Sequence, residues 1–212
     1  MTGLMFVLTI DQQRSRTAPD AVPDLLSALA EVDAVVPFAR TIGDEVQGVV
    51  ESPEDLVAAV LRASHPAQWS IGIGAGSVET PLPPHSRDAR GAAFVHARAA
   101  VEAAKGELVP LVLEGQPDTA RAPSITGVEA QTALRLLVHL IGECTEVQWA
   151  VVSAVLDEPG ITQHVLAERL DVSQQFVSKT LRVTAAELIA STRDLAIALL
   201  TIWGTPEGSA DE

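Results

Sequence analysis

Cysteine is almost absent: Cys144 is the only one among 212 residues. No intrachain disulfide can form, and nothing near Cys144 suggests a zinc site or an activated thiol. Long apolar runs are missing too, since no stretch approaches the roughly 20 residues a membrane-spanning helix needs. The apolar opening, residues 1–10, lacks the basic leader and small-residue cleavage site of a signal peptide. A cytoplasmic location with no membrane partner is therefore expected. There is no internal repeat and no low-complexity block. Basic residues are scarce: 14 against 28 acidic ones leave a net charge of −14, the reverse of the usual nucleic-acid binder. The deficit is even, with 8 basic and 15 acidic residues up to Glu114 and 6 and 13 after it. Hydrophobic residues at 47% and charged ones at 20% nevertheless suit a folded chain.

What is present divides the chain. Residues 4–10 are an apolar run ending at Asp11, as expected of a central strand. Residues 20–32 place Val22, Leu25, Leu26, Leu29 and Val32 on one helical face. Strands are predicted at 34–40 and 46–50 around the turn Ile42-Gly43-Asp44-Glu45. Ser52-Pro53 opens a helix to Ala63 with a hydroxyl cap and a first-turn proline. A glycine-interleaved strand (69–78), a loop (81–90), an alanine-rich helix (91–105) and a strand (109–113) follow. Gly72, Gly74 and Gly76 lie inside a strand rather than opening a helix, so they suit close approach of a backbone or ligand better than a dinucleotide fingerprint. The order β-α-β-β-α-β, then α-β, predicts an α+β fold with an N-terminal ferredoxin-like sandwich over 1–114. A Pro/Gly/Ser/Thr-rich linker (115–127), an all-α domain (128–204) and a disordered tail (205–212) complete the reading.

Within that domain, residues 161–182 carry a helix-turn-helix pattern. Thr162 caps a helix whose Val165, Leu166 and Leu170 are expected to face inward, with small Ala167 where a second helix crosses. Asp171-Val172-Ser173 makes the turn, Val172 entering the core and Ser173 capping the next helix. Phe176, Val177 and Leu181 are expected inward, and Gln174, Gln175, Ser178, Lys179 and Arg182 outward as the DNA-binding set. Glutamine can pair with adenine, and lysine or arginine with guanine or phosphate. This segment is locally +1, Arg169, Lys179 and Arg182 outnumbering Glu168 and Asp171. An ordinary pair of packed helices with polar residues outward would share much of the pattern.

Residues 161–182 resemble the DNA-binding units of bacterial repressors and MarR-type regulators. Where MarR proteins would carry a β-hairpin wing, 184–203 continues as helix, so a wingless, sigma-factor-like arrangement is expected. The apolar surface of that last helix, with Leu195, Ile197, Leu199, Leu200, Ile202 and Trp203, suits either core or a dimer seam.

Phosphoryl-transfer palms on a ferredoxin-like sandwich set one carboxylate at the end of the first strand and another in the neighbouring hairpin, together holding Mg²⁺ against a nucleotide. Asp11 and Asp44 occupy those places. Arg40-Thr41-Ile42-Gly43-Asp44-Glu45 resembles the hairpin of class III nucleotide cyclases and, more distantly, the GGDEF turn of diguanylate cyclases. Residues 71–76 and 91–98 resemble later cyclase segments, and over residues 6–182 the chain is similar to the SatD-like family, which joins such a domain to a C-terminal helix-turn-helix. The resemblance implies a metal site at Asp11 and Asp44 and nucleotide contacts at Arg40, Gly43, Glu45 and Arg98. It departs from cyclases in having no asparagine in 91–98, and from diguanylate cyclases in having Ile42 and a single glycine before the acidic pair. A structural or dimerisation role, nucleotide or metal sensing, and active phosphoryl transfer thus stay open, in that order. His65, His85 and His96 are scattered without ligand spacing and read as plain surface residues, whereas His139 and His164 sit on helices expected to be partly buried.

The leading expectation is a homodimeric DNA-binding transcriptional regulator acting on double-stranded DNA, with the palm-like domain as a dimeriser or as a nucleotide or metal sensor. One alternative is a Mg²⁺-dependent cyclase-like enzyme regulated by its helical domain. Another is a helix-turn-helix that serves as a protein-interaction module.

Overall fold

The computed structural model describes residues 4–116 and 125–204. Most of the expected linker and all of the expected tail lie outside the described residues. Strand β1 (Met5–Gln12) is central in a five-stranded sheet of order β2-β3-β1-β4-β5, with β2 at Val36–Arg40, β3 at Glu45–Val50, β4 at Trp69–Gly76 and β5 at Leu111–Gly115. It pairs antiparallel with both β3 and β4, and β5 joins the edge parallel to β4. A strand covered on both faces has no solvated side, which is why β1 reads as an unbroken apolar run rather than an alternating one.

Alternation along β1 divides two layers. Phe6, Leu8 and Ile10 face a core built with helices α1 (Val22–Leu29) and α2 (Pro53–Ala63). Met5 and Val7 face the other layer, with Ala93 and Ala97 of α3 (Ala92–Ala104). That second layer is unusually close. A Cβ on Gly72 would stand 2.2 Å from the Val101 nitrogen, and one on Gly74 would stand 2.0 Å from the Ala93 oxygen. The strand glycines therefore admit the backbone of α3.

Helices α4 (Gly127–Gly142) and α8 (Ala186–Gly204) were expected to belong to a separate domain. The boundary at 115–127 divides the chain but not its core. Ala130, Leu134, Leu137 and Ile141 of α4 and Ile189, Ala196, Leu200 and Trp203 of α8 are buried in the same cluster as Phe6, Leu8 and Ile71. Only a small cluster of Val151, Leu166, Ala167 and Val177 belongs to the helix-turn-helix itself. It unites α5 (Glu146–Asp157), α6 (Gln163–Arg169) and α7 (Gln174–Val183). The apolar surface of α8 is shared: Leu200 and Trp203 are core, while Leu195 and Ile202 are about half exposed.

Two inward residues were misplaced by the sequence reading. Val165 is 43% exposed and Phe176 37% exposed. Helix α6 spans only seven residues, and Leu166, Ala167, Val177 and Leu181 already fill its seam with α7. Val165 and Phe176 precede Leu166 and Val177 by one residue, about 100° around the helix, and fall on its rim. Thr180, unassigned from sequence, is buried instead.

Candidate nucleic-acid interface and the acidic end of the sheet

The geometry of the helix-turn-helix follows from three local devices. Thr162 and Ser173 each sit in extended backbone, and their hydroxyls accept from the Val165 and Phe176 amides at 3.3 and 3.1 Å, satisfying donors at the starts of α6 and α7. Between the helices Asp171 takes a left-handed φ of 52°, a conformation that a short polar side chain tolerates. The Val172 amide then donates back to the Ala167 oxygen at 3.0 Å, closing the end of α6. Ala167 is 5% exposed where the helices meet.

Gln174, Gln175, Ser178, Lys179 and Arg182 are all exposed on α7. Among the described residues no ion pair engages Lys179 or Arg182, whereas Arg169 is tied to Glu158 at 2.8 Å. Two amide side chains, a hydroxyl and two unpaired cations on one solvent-facing stretch of helix can donate to phosphates and read base edges. Next along the chain is α8, and no strand follows α7 among the described residues.

Residues 145–192 match the MarR family model. The match runs from the cap of α5 into α8, so this segment is a MarR-type helix-turn-helix, and it covers under a quarter of the chain. No curated protein matches the chain. Among solved structures the chain is similar to a regulator of polyketide synthase expression from Bifidobacterium adolescentis, at 14% identity and a TM-score of 0.30, over 94% of this chain and 81% of that one. That likeness is too distant to bear on fold or activity. No helix among the described residues is long and apolar enough to cross a membrane.

At the far end of β1, the sheet register sets Asp11 opposite Glu45 on one side and Ser70 on the other. Cross-strand neighbours share a face, and α3 lies over that face. Lys105, at the C-terminal cap of α3, reaches Asp11 at 3.3 Å and Glu102 at 2.9 Å. Arg98 holds the buried Glu45 at 3.0 Å, and the Thr41 hydroxyl donates to the same carboxylate at 2.5 Å. Burial raises the Asp11 carboxyl above its ordinary value; Lys105 opposes this, while Asp44 and Glu45 add to it. Burial also pulls the Lys105 ammonium down, but Glu102 and Asp11 outweigh it and leave it raised.

The structure thus gathers Asp11, Asp44, Glu45 and Arg98 but not Arg40, whose guanidinium is bound to Asp20 at 2.6 Å. Gly43 is a turn residue at φ +63°, the Glu45 amide closing the turn on the Ile42 oxygen at 3.1 Å. Sequence reasoning missed Lys105, and also Ser70, whose buried hydroxyl has no partner among the described residues. No group of three or more His, Cys, Asp or Glu side chains able to hold a metal occurs among the described residues. Asp11 and Glu45 face resident cations, so a Mg²⁺ ion on Asp11 and Asp44 would have to displace Lys105 from Asp11.

Proposed function

We propose that this protein is a DNA-binding transcriptional regulator that acts as a homodimer on double-stranded DNA and uses α7 as its recognition helix. The carrying observation is the exposed set Gln174, Gln175, Ser178, Lys179 and Arg182 on a MarR-type helix-turn-helix. In this reading the sheet is a ferredoxin-like, palm-like sandwich of the SatD-like kind, its β2-β3-β1-β4 order and flanking helices supporting that assignment. Its acidic end sets Asp11 and Glu45 against Lys105 and Arg98 of the α3 layer rather than forming a phosphoryl-transfer centre. Leu188, Leu195 and Ile202 recur every seven residues along the exposed side of α8, and self-association there would set the spacing of two recognition helices.

Gel-shift titration against a pool of random duplexes, at low and at moderate salt, tests the reading. The wild-type chain should shift duplex DNA, more weakly as salt rises, and Gln175→Ala with Lys179→Ala should reduce the shift while leaving the circular dichroism spectrum unchanged. The exposure of Phe176 and Val165, together with the −14 charge, favours a second reading in which the same surface docks a protein. Absence of any shift at low salt would favour that second reading.

A further inference from the structure

A cleft of about 170 Å³ opens where the sheet body meets the helix-turn-helix, between α1 and α2 on one side and α5 on the other. For scale, an apolar cavity of about 150 Å³ holds a benzene ring. Small side chains make the space: Ala28 of α1 and Ala58 of α2 line it where larger residues would close it. Trp149 forms one wall, already stacked on His65 with ring centroids 5.8 Å apart and planes 24° from parallel. His65 is held by the Cys144 carbonyl oxygen at 3.0 Å, which fixes the wall on a junction between the two parts.

Charge in the cleft is balanced. Arg62 of α2 meets Asp157 of α5 at 3.4 Å and Glu31 at 3.1 Å, both through Nη2. The 3.4 Å contact is long, and Arg62 and Asp157 both line the cleft while Glu31 does not. A ligand carboxylate placed on Arg62 would compete with two resident carboxylates, and a ligand ammonium would compete with Arg62 for them. Either exchange only replaces an ion pair the protein already makes with solvent-accessible carboxylates, so a charged ligand gains little from it. A neutral planar ring with an N–H donor beside a carbonyl acceptor avoids the exchange. It can donate to Asp157 and accept from Arg62, while Arg62 keeps Glu31. Its face can lie along Trp149.

We infer that this cleft is a binding site for a neutral planar nitrogen heterocycle of the nucleobase class, held between the Arg62–Asp157 pair and the Trp149 ring. The cleft lies at the seam where α5, anchored in the sheet core by Val152 and Leu156, runs beside α2. The site does not depend on α7 reading DNA.

Hypoxanthine and uracil are the probes, with benzoate and benzylamine as charged rings of similar size. Each is titrated into the full chain by calorimetry and by tryptophan fluorescence, with Trp149→Phe showing whether the signal arises at the cleft. The inference expects saturable binding of hypoxanthine or uracil that weakens at least ten-fold in Ala58→Leu, which fills the floor, and in Asp157→Ala, an exposed change that should not disturb folding. Binding of neither neutral probe, tighter binding of benzoate or benzylamine, or neutral-probe binding that survives Asp157→Ala undiminished would overturn it. The readout contains no DNA, so its failure is distinct from failure of the regulator reading.

Discussion

Replacing Gly74 by alanine should loosen α3 from the sheet. The added Cβ would stand 2.0 Å from the Ala93 oxygen and 2.2 Å from the Ala97 nitrogen, both backbone atoms that cannot rotate aside. Ordinary contact would require α3 to lift by more than 1 Å, roughly, in a close-packed layer. Overpacking of this kind costs about 1–3 kcal/mol, and the entropy alanine removes from the unfolded chain offsets less than about 1 kcal/mol of it. A net loss of about 1–2 kcal/mol is expected. Urea unfolding followed by circular dichroism measures it, with Gly106→Ala as control, since a Cβ there meets nothing nearer than the Ala103 oxygen at 3.8 Å. If Gly74→Ala proves as stable as Gly106→Ala, the close approach of α3 is not what holds those glycines. Lifting α3 should also part Lys105 from Asp11.

Three further outcomes follow from the same geometry. Asp171→Val should destabilise by about 1–2 kcal/mol, because a branched side chain resists the left-handed backbone that Asp171 adopts; Asp171→Gly should be neutral or better in the same denaturation assay. Ala167→Leu, at the α6–α7 crossing, should cost about 1–3 kcal/mol and be detected as early loss of amide protection in α6 and α7, while β1 keeps its protection. Asp11 has a raised folded-state pKa, so the native state holds its proton more tightly than the unfolded chain, and ionising it lowers stability as pH rises above its ordinary value of 3.8. Asp11→Asn should therefore gain most on the wild type near neutral pH and lose that advantage as pH falls through the folded-state value, a trend read from thermal melts at stepped pH.

Much of the architecture was legible because it rests on local chemistry. The Ser52 hydroxyl accepting from the Asp55 amide, the apolar run of β1, and Thr162 and Ser173 as caps are short-range devices that residue order displays. Where the reading failed, the deciding partner was remote. Lys105 stands in an alanine-rich helix with nothing beside it in sequence to announce Asp11, which it meets only once α3 lies across the sheet. Helical periodicity placed Val165 and Phe176 on an apolar side but could not reveal that their neighbours, Leu166 and Val177, already filled a narrow seam. The shared core of α4, α8 and the sheet was likewise hidden, since amphipathic helices do not name the surface that covers them.

The most direct test of α7 as a DNA-reading helix is the dependence of affinity on salt. Each phosphate neutralised contributes about 0.9 to the slope of log affinity against log salt, so removing Lys179 and Arg182 together should flatten the slope by about 1.8 for each bound recognition helix. Affinities measured across a salt series for the wild type and for Lys179→Ala/Arg182→Ala should show that flattening, with weaker binding at every salt concentration. An unchanged slope in the double variant would place the DNA contacts elsewhere and contradict the account.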